Sequence, residues 1–130
     1  MNARLSLIIA SVSGMLVVAL GAFAAHALRN QLSERFYDVW QTAVQYQMFH
    51  TLALLAVGIL LVRQNCLGLR LAAWLFIGGM LLFCGSLYSL ALTGITTLGM
   101  ITPLGGLLFI VGWLMFALSM FRASKKLNDC

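Results

Sequence analysis

Charge is what this sequence has least of. Only 8% of its 130 residues are charged, and just three of those are acidic; an ordinary soluble domain carries about 25% charged residues. A single proline, Pro103, leaves the rest of the chain free of the strongest helix breaker. The three cysteines, Cys66, Cys84 and Cys130, have neither a CxxC nor a Cys/His spacing, so they give no basis for a metal site. There is no nucleophile–base pair, carboxylate dyad or Walker motif, and hence no catalytic signature from which to read an enzyme. No Asp, Glu, Lys or Arg falls within the long apolar runs, which argues against an ion-coupled mechanism.

What remains is largely hydrophobic, 62% by count, with a mean hydropathy of +1.01. A soluble chain this short buries only about two-thirds of the surface that its unfolded form exposes. Lipid must cover the rest. Four stretches reach the ~20 residues needed to cross ~30 Å of hydrocarbon: residues 5–25, 43–62, 71–92 and 102–121. Backbone groups in lipid must pair within their own segment, so the expected fold is an all-α membrane protein. It has four transmembrane helices in one compact bundle, a single domain over residues 1–130. Thr102 reads as the N-cap of the fourth helix, with Pro103 at its first position. Arg4, the first apolar run and Ala22–Ala24 resemble a signal peptide, but the run exceeds the usual 7–15 residues, so a retained span is expected.

Orientation follows from the flanking cations. Arg4, Arg63, Arg70, Arg122, Lys125 and Lys126 fall on one side, and only Arg29 and Arg35, beside Glu34 and Asp38, on the other. Both termini are therefore expected in the cytoplasm, and the net charge of +5 is read as membrane anchoring rather than nucleic-acid binding. Cys66 and Cys130 then face a reducing compartment as free thiols. Between the first two spans, Ser33 can cap a helix and Glu34 suits its positive end. Leu32, Phe36, Val39, Trp40 and Ala43 recur at helical steps, giving a short amphipathic interfacial helix that runs into the second span. Phe36, Tyr37 and Trp40 suit the head-group layer.

The polar residues inside the spans map to the outer leaflet. Tyr46, Gln47 and His50 share a stripe on the second span, Ser86 and Ser89 lie on the third with Tyr88 nearby, and Thr102 opens the fourth. His26 ends the first span. Two readings follow. Hydrogen bonds among these groups can orient the helices, or His26, Tyr46, Gln47, His50, Ser86, Tyr88 and Thr102 can line a pocket for a small ligand or a proton. Two histidines could hold a haem, but no further ligand pattern accompanies them, so no cofactor and no metal are expected. Ala10, Gly14, Gly21 and Ala25 form a small-residue seam on the first span, with Gly78, Gly79, Gly105, Gly106 and Gly112 available for close approach on the third and fourth. Trp113 lies mid-span, where its indole N–H needs a partner.

Several segments together carry a family resemblance. They are Gly21-Ala22-Phe23-Ala24-Ala25-His26, Trp40 with Tyr46-Gln47 and His50, Leu82-Phe83-Cys84-Gly85-Ser86-Leu87-Tyr88, Thr102-Pro103-Leu104-Gly105-Gly106, and Gly112-Trp113. In this order they resemble the YgdD-like family of small bacterial inner-membrane proteins, an uncharacterised family. Ala24 departs from it, standing where Gly is expected. The resemblance implies a retained first span and an inner-membrane location, and no activity. The expected role is structural or accessory, with lipids and further copies of the chain as partners. The alternative is binding or transport of an unidentified small molecule through the polar pocket, and a third reading is a haem or redox carrier.

Overall fold

The computed structural model describes residues 1–128, with side chains as far as Ala123. Cys130 and the side chains of Lys125 and Lys126, used above for redox state and orientation, lie outside the described residues. Among the described residues four helices are long and apolar enough to cross a membrane: α1 (Ala3–Leu28), α2 (Glu34–Arg63), α3 (Leu67–Thr93) and α4 (Thr102–Asn128). A 3₁₀ turn over Thr96–Met100 leads into α4. The helices alternate in direction. One end of the bundle, here the basal end, carries Met1 and the α2–α3 turn; the distal end carries the α1–α2 and α3–α4 connections.

Local chemistry sets most helix ends. The Asn2 side chain accepts from the Leu5 N–H at 2.9 Å. Ser33 Oγ accepts from the Phe36 N–H at 3.4 Å, as its position predicts. Gly94, alone among the described residues in having positive φ, ends α3 in the left-handed conformation that glycine adopts without steric cost. The amphipathic segment after Ser33 runs without a break into the second span, because nothing between Glu34 and Arg63 interrupts the helix. Thr102 is a helical residue rather than a cap, and its hydroxyl crosses to α3.

Packing runs α1 on α2, α2 on α3 and α3 on α4, with α2 the most enclosed of the four. This zigzag leaves a groove between α1 and α3 on one side and another between α2 and α4 on the other. The outward faces are aliphatic and aromatic, including Val18, Leu52, Val62, Leu81 and Phe121. A soluble protein does not expose so continuous an apolar surface.

Small residues set the helix spacing. Gly105 lies against the Phe83 backbone, Gly79 against the Phe109 ring and Gly68 beneath Ser119. On α1 the buried stripe is Ser6, Ala10, Ser13, Val17, Ala24 and Leu28. Gly14 and Gly21 still border α2, but Ala25 of the expected seam is exposed. The last turn of α1, Ala24–Leu28, is π-wound. Its extra residue rotates the face and carries Ala24 and Leu28 inward instead. A second π turn, Met80–Cys84, interrupts α3 where Gly105 approaches.

Trp40 is not a head-group residue. It is buried, with its indole N–H donating to the Leu20 carbonyl at 3.1 Å. Its ring meets Tyr88 at 4.6 Å between centroids. The helical stripe that suggested an interfacial face is the stripe that packs on α1 and α3.

Candidate functional site

Most of the polar residues singled out within the spans fall into three hydrogen-bonded groups. The first ties α1, α2 and α3 together. Tyr88 Oη donates to Gln47 Oε1 at 2.8 Å. Gln47 Nε2 donates to Ser13 Oγ at 3.2 Å. Ser13 and Thr51 hydroxyls lie 2.6 Å apart, and both reach Met80 Sδ at 3.7 Å. The chain has a direction: a phenol, an amide, two hydroxyls and a thioether sulfur that can only accept. Ser13 lies ~15 Å along α1 from Ala3 at ~1.5 Å per residue, so the group reaches the middle of the bilayer.

The second group joins α2 to α4. Trp113 Nε1–H donates to His50 Nε2 at 3.2 Å, and His50 Nδ1 lies 2.7 Å from the Tyr46 carbonyl oxygen. An indole N–H only donates and a carbonyl only accepts. His50 is therefore the neutral Nδ1–H tautomer, as this network assigns it. Its ring stacks on Phe109, 3.4 Å between centroids and 8° from parallel. Tyr46 stacks on Phe83 at 4.5 Å. The third group is a clasp between α3 and α4, with Ser86 and Thr102 hydroxyls 2.7 Å apart. Ser86 Oγ donates onward to the Phe83 carbonyl at 2.9 Å, next to the π turn.

Six of the seven residues singled out from the sequence thus belong to these groups, divided between two sides of the bundle. Gln47 and Tyr88 face α1; Tyr46 and His50 face α4; Ser86 and Thr102 close the α3–α4 seam. His26 is not brought to them. It is exposed on the π-wound end of α1 and lines neither groove. A haem held between His26 and His50 does not fit, because both His50 nitrogens are engaged within the bundle. Among the described residues no three His, Cys, Asp or Glu side chains gather as a metal site.

Ser13, Thr51 and Met80 were missed. Ser13 sits at a helical step from Ala10 and Val17, and Thr51 follows Gln47 by one turn, so spacing alone could have linked them. Met80 carried no such signal. Trp113, noted for its unpartnered indole, finds its partner in His50.

The two grooves differ in chemistry. The α1/α3 groove holds about 410 Å³ and is lined by Ile8, Ser13, Leu16, Gln47, Met80 and Tyr88 among others. The α2/α4 groove holds about 710 Å³ and is mostly aromatic, with Tyr46, Phe49, His50, Phe83, Phe109 and Trp113 in its wall. Among the described residues every buried side-chain nitrogen and oxygen has a hydrogen-bond partner.

The family described as Protein of unknown function (DUF423) matches residues 20–106. A UPF0382 membrane protein of Staphylococcus saprophyticus is 44% identical over 92% of this chain and 98% of its own length. Another from Staphylococcus haemolyticus is 45% identical over 92% of the chain and 97% of its own. The UPF0382 membrane protein YwdK of Bacillus subtilis is 41% identical over 89% and 95%. No solved structure matches the chain. The matched segment contains the α1–α2 connection, both π turns and all the polar groups except Ser13 and Trp113.

Proposed function

The chain belongs to the DUF423 family of membrane proteins, and we propose that it is an accessory protein of the bacterial inner membrane that works through contacts with copies of itself rather than through catalysis. The whole chain acts as one transmembrane domain with its termini in the cytoplasm. The observation that carries this reading is that the interior polar groups satisfy one another. A conduction path or a polar-ligand site normally keeps donors and acceptors free for its cargo. Here Tyr88, Gln47, Ser13, Thr51, His50 and Trp113 spend theirs on holding helices together. The exposed small and apolar faces favour helix–helix association in lipid. The likeness to the YgdD-like proteins supports the inner-membrane location and the retained first span. Cross-linking in native membranes, followed by sizing in nanodiscs, should find a dimer or higher oligomer. A monomer with no cross-linked copy would remove the reading.

A second reading is favoured by the α2/α4 groove. Its aromatic wall and the half-exposed Tyr46 suit a small apolar ligand, with His50 the polar group nearest to it. On that reading His50→Ala abolishes a binding or transport phenotype at unchanged protein abundance. A phenotype that persists at normal abundance eliminates it.

A further inference from the structure

The basal end holds a cavity of about 520 Å³ between the α2–α3 turn and the last described turns of α4. Arg63 enters from the end of α2 and Arg122 from α4, and Gln64, Asn65 and Ser119 supply uncharged polar groups. Among the described residues no acidic side chain lines it. The corresponding cavity at the distal end is built differently: Arg29 shares it with Glu34 and Asp38, so its one cation is outnumbered by two carboxylates. The basal cavity also sits where polar and apolar surfaces meet. Val62 and Leu67, on either side of the turn, are each 68% exposed, and Phe121 beside Arg122 is 82% exposed.

We propose that this basal cavity binds the phosphodiester headgroup of an anionic phospholipid, with its acyl chains lying along Val62, Leu67 and Phe121. Two guanidinium groups suit phosphate oxygens because each offers a planar fork of donors. A basic pocket between transmembrane helices at the interface is where such headgroups bind. The uncapped start of α3 at Leu67 adds a smaller contribution of the same sign, and the arginines and the apolar flanks carry the argument. A free phosphate shares the headgroup chemistry but gains nothing from the exposed Val62, Leu67 and Phe121.

Native mass spectrometry of the full chain, delipidated and then given equal amounts of phosphatidylglycerol and phosphatidylcholine, tests this. The wild type should retain phosphatidylglycerol in preference. Arg63→Gln and Arg122→Gln should each weaken retention roughly fivefold. Arg29→Gln with Arg35→Gln removes from the distal end the charge that Arg63→Gln with Arg122→Gln removes from the basal end, and should leave retention unchanged. Millimolar inorganic phosphate should not displace the lipid. Three results would overturn the proposal: no preference for the anionic lipid, equal losses in the basal and distal double variants, or displacement by phosphate alone. Circular dichroism and abundance of the variants would show that they remain folded, and substitution of the exposed arginines leaves the core untouched.

Discussion

His50 is neutral in this fold because its two neighbours leave no other choice. Trp113 donates to one nitrogen and the Tyr46 carbonyl accepts from the other. Trp113→Phe keeps an aromatic ring but removes the donor, leaving Nε2 unpaired. Intramembrane hydrogen bonds average about 0.6 kcal/mol and reach ~1.7. The substitution should lower stability by about 1–2 kcal/mol, read as an earlier midpoint in unfolding by sodium dodecyl sulfate. An unchanged midpoint would mean that the bond contributes nothing. Thr51→Val is milder. It preserves shape, and Ser13 keeps Gln47 and Met80 as partners. A loss of about 0.6 kcal/mol is expected in the same titration, and a loss above ~2 would contradict the ranking. This scale also divides what the sequence could disclose from what it could not. Tyr46, Gln47 and His50 announced a polar stripe through their residue types. Which of them faces α1 and which faces α4 depends on the rotation of α2 and on partners such as Met80, whose role has no signature in its own neighbourhood.

At the scale of the helix, glycine and the π turn act together. Gly105 leaves room for the Phe83 backbone, and a Cβ there would collide with main chain that has no rotamer to yield. Gly105→Leu should separate α3 from α4, break the Ser86–Thr102 clasp and cost about 3 kcal/mol or more. Gly85, one residue beyond the π turn, has open space around its missing side chain. Gly85→Ala should therefore stabilise by about 0.5–1 kcal/mol through helix propensity alone. The opposed signs, read from denaturant midpoints of two variants of one protein, test whether close approach or propensity governs each glycine; a shared sign would refute the packing account. The spans and the Ser33 cap were legible because length, hydropathy and a local side chain decide them; Thr102 was not, because its hydroxyl answers to Ser86 across the α3–α4 seam. The π turns were not, since they answer to contacts between helices. That is why the seam expected through Ala25 passes through Ala24 and Leu28 instead.

For the whole molecule, the zigzag order of the helices places the grooves on opposite sides and separates a basic end from a neutral one. Six cations, among them Arg4, Arg63, Arg70 and Arg122, belong to the basal side of the sequence, against Arg29 and Arg35 on the other. The resulting asymmetry favours retention of the basal end in the cytoplasm. Arg70 Nε also donates to the Met1 carbonyl at 3.0 Å, tying the start of the chain to the same end. Thiol labelling can read this orientation directly. In a background with the other cysteines replaced by serine, Thr97→Cys on the exposed distal turn should react with a membrane-impermeant maleimide in intact cells. The native Cys66 at the basal turn is partly accessible; kept alone, it should on the proposed orientation react only after permeabilisation. Labelling of Cys66 and not of residue 97 in intact cells would invert the bundle. It would also place the two-arginine cavity in the outer leaflet, leaving the headgroup chemistry intact but changing which pool of lipid can reach it.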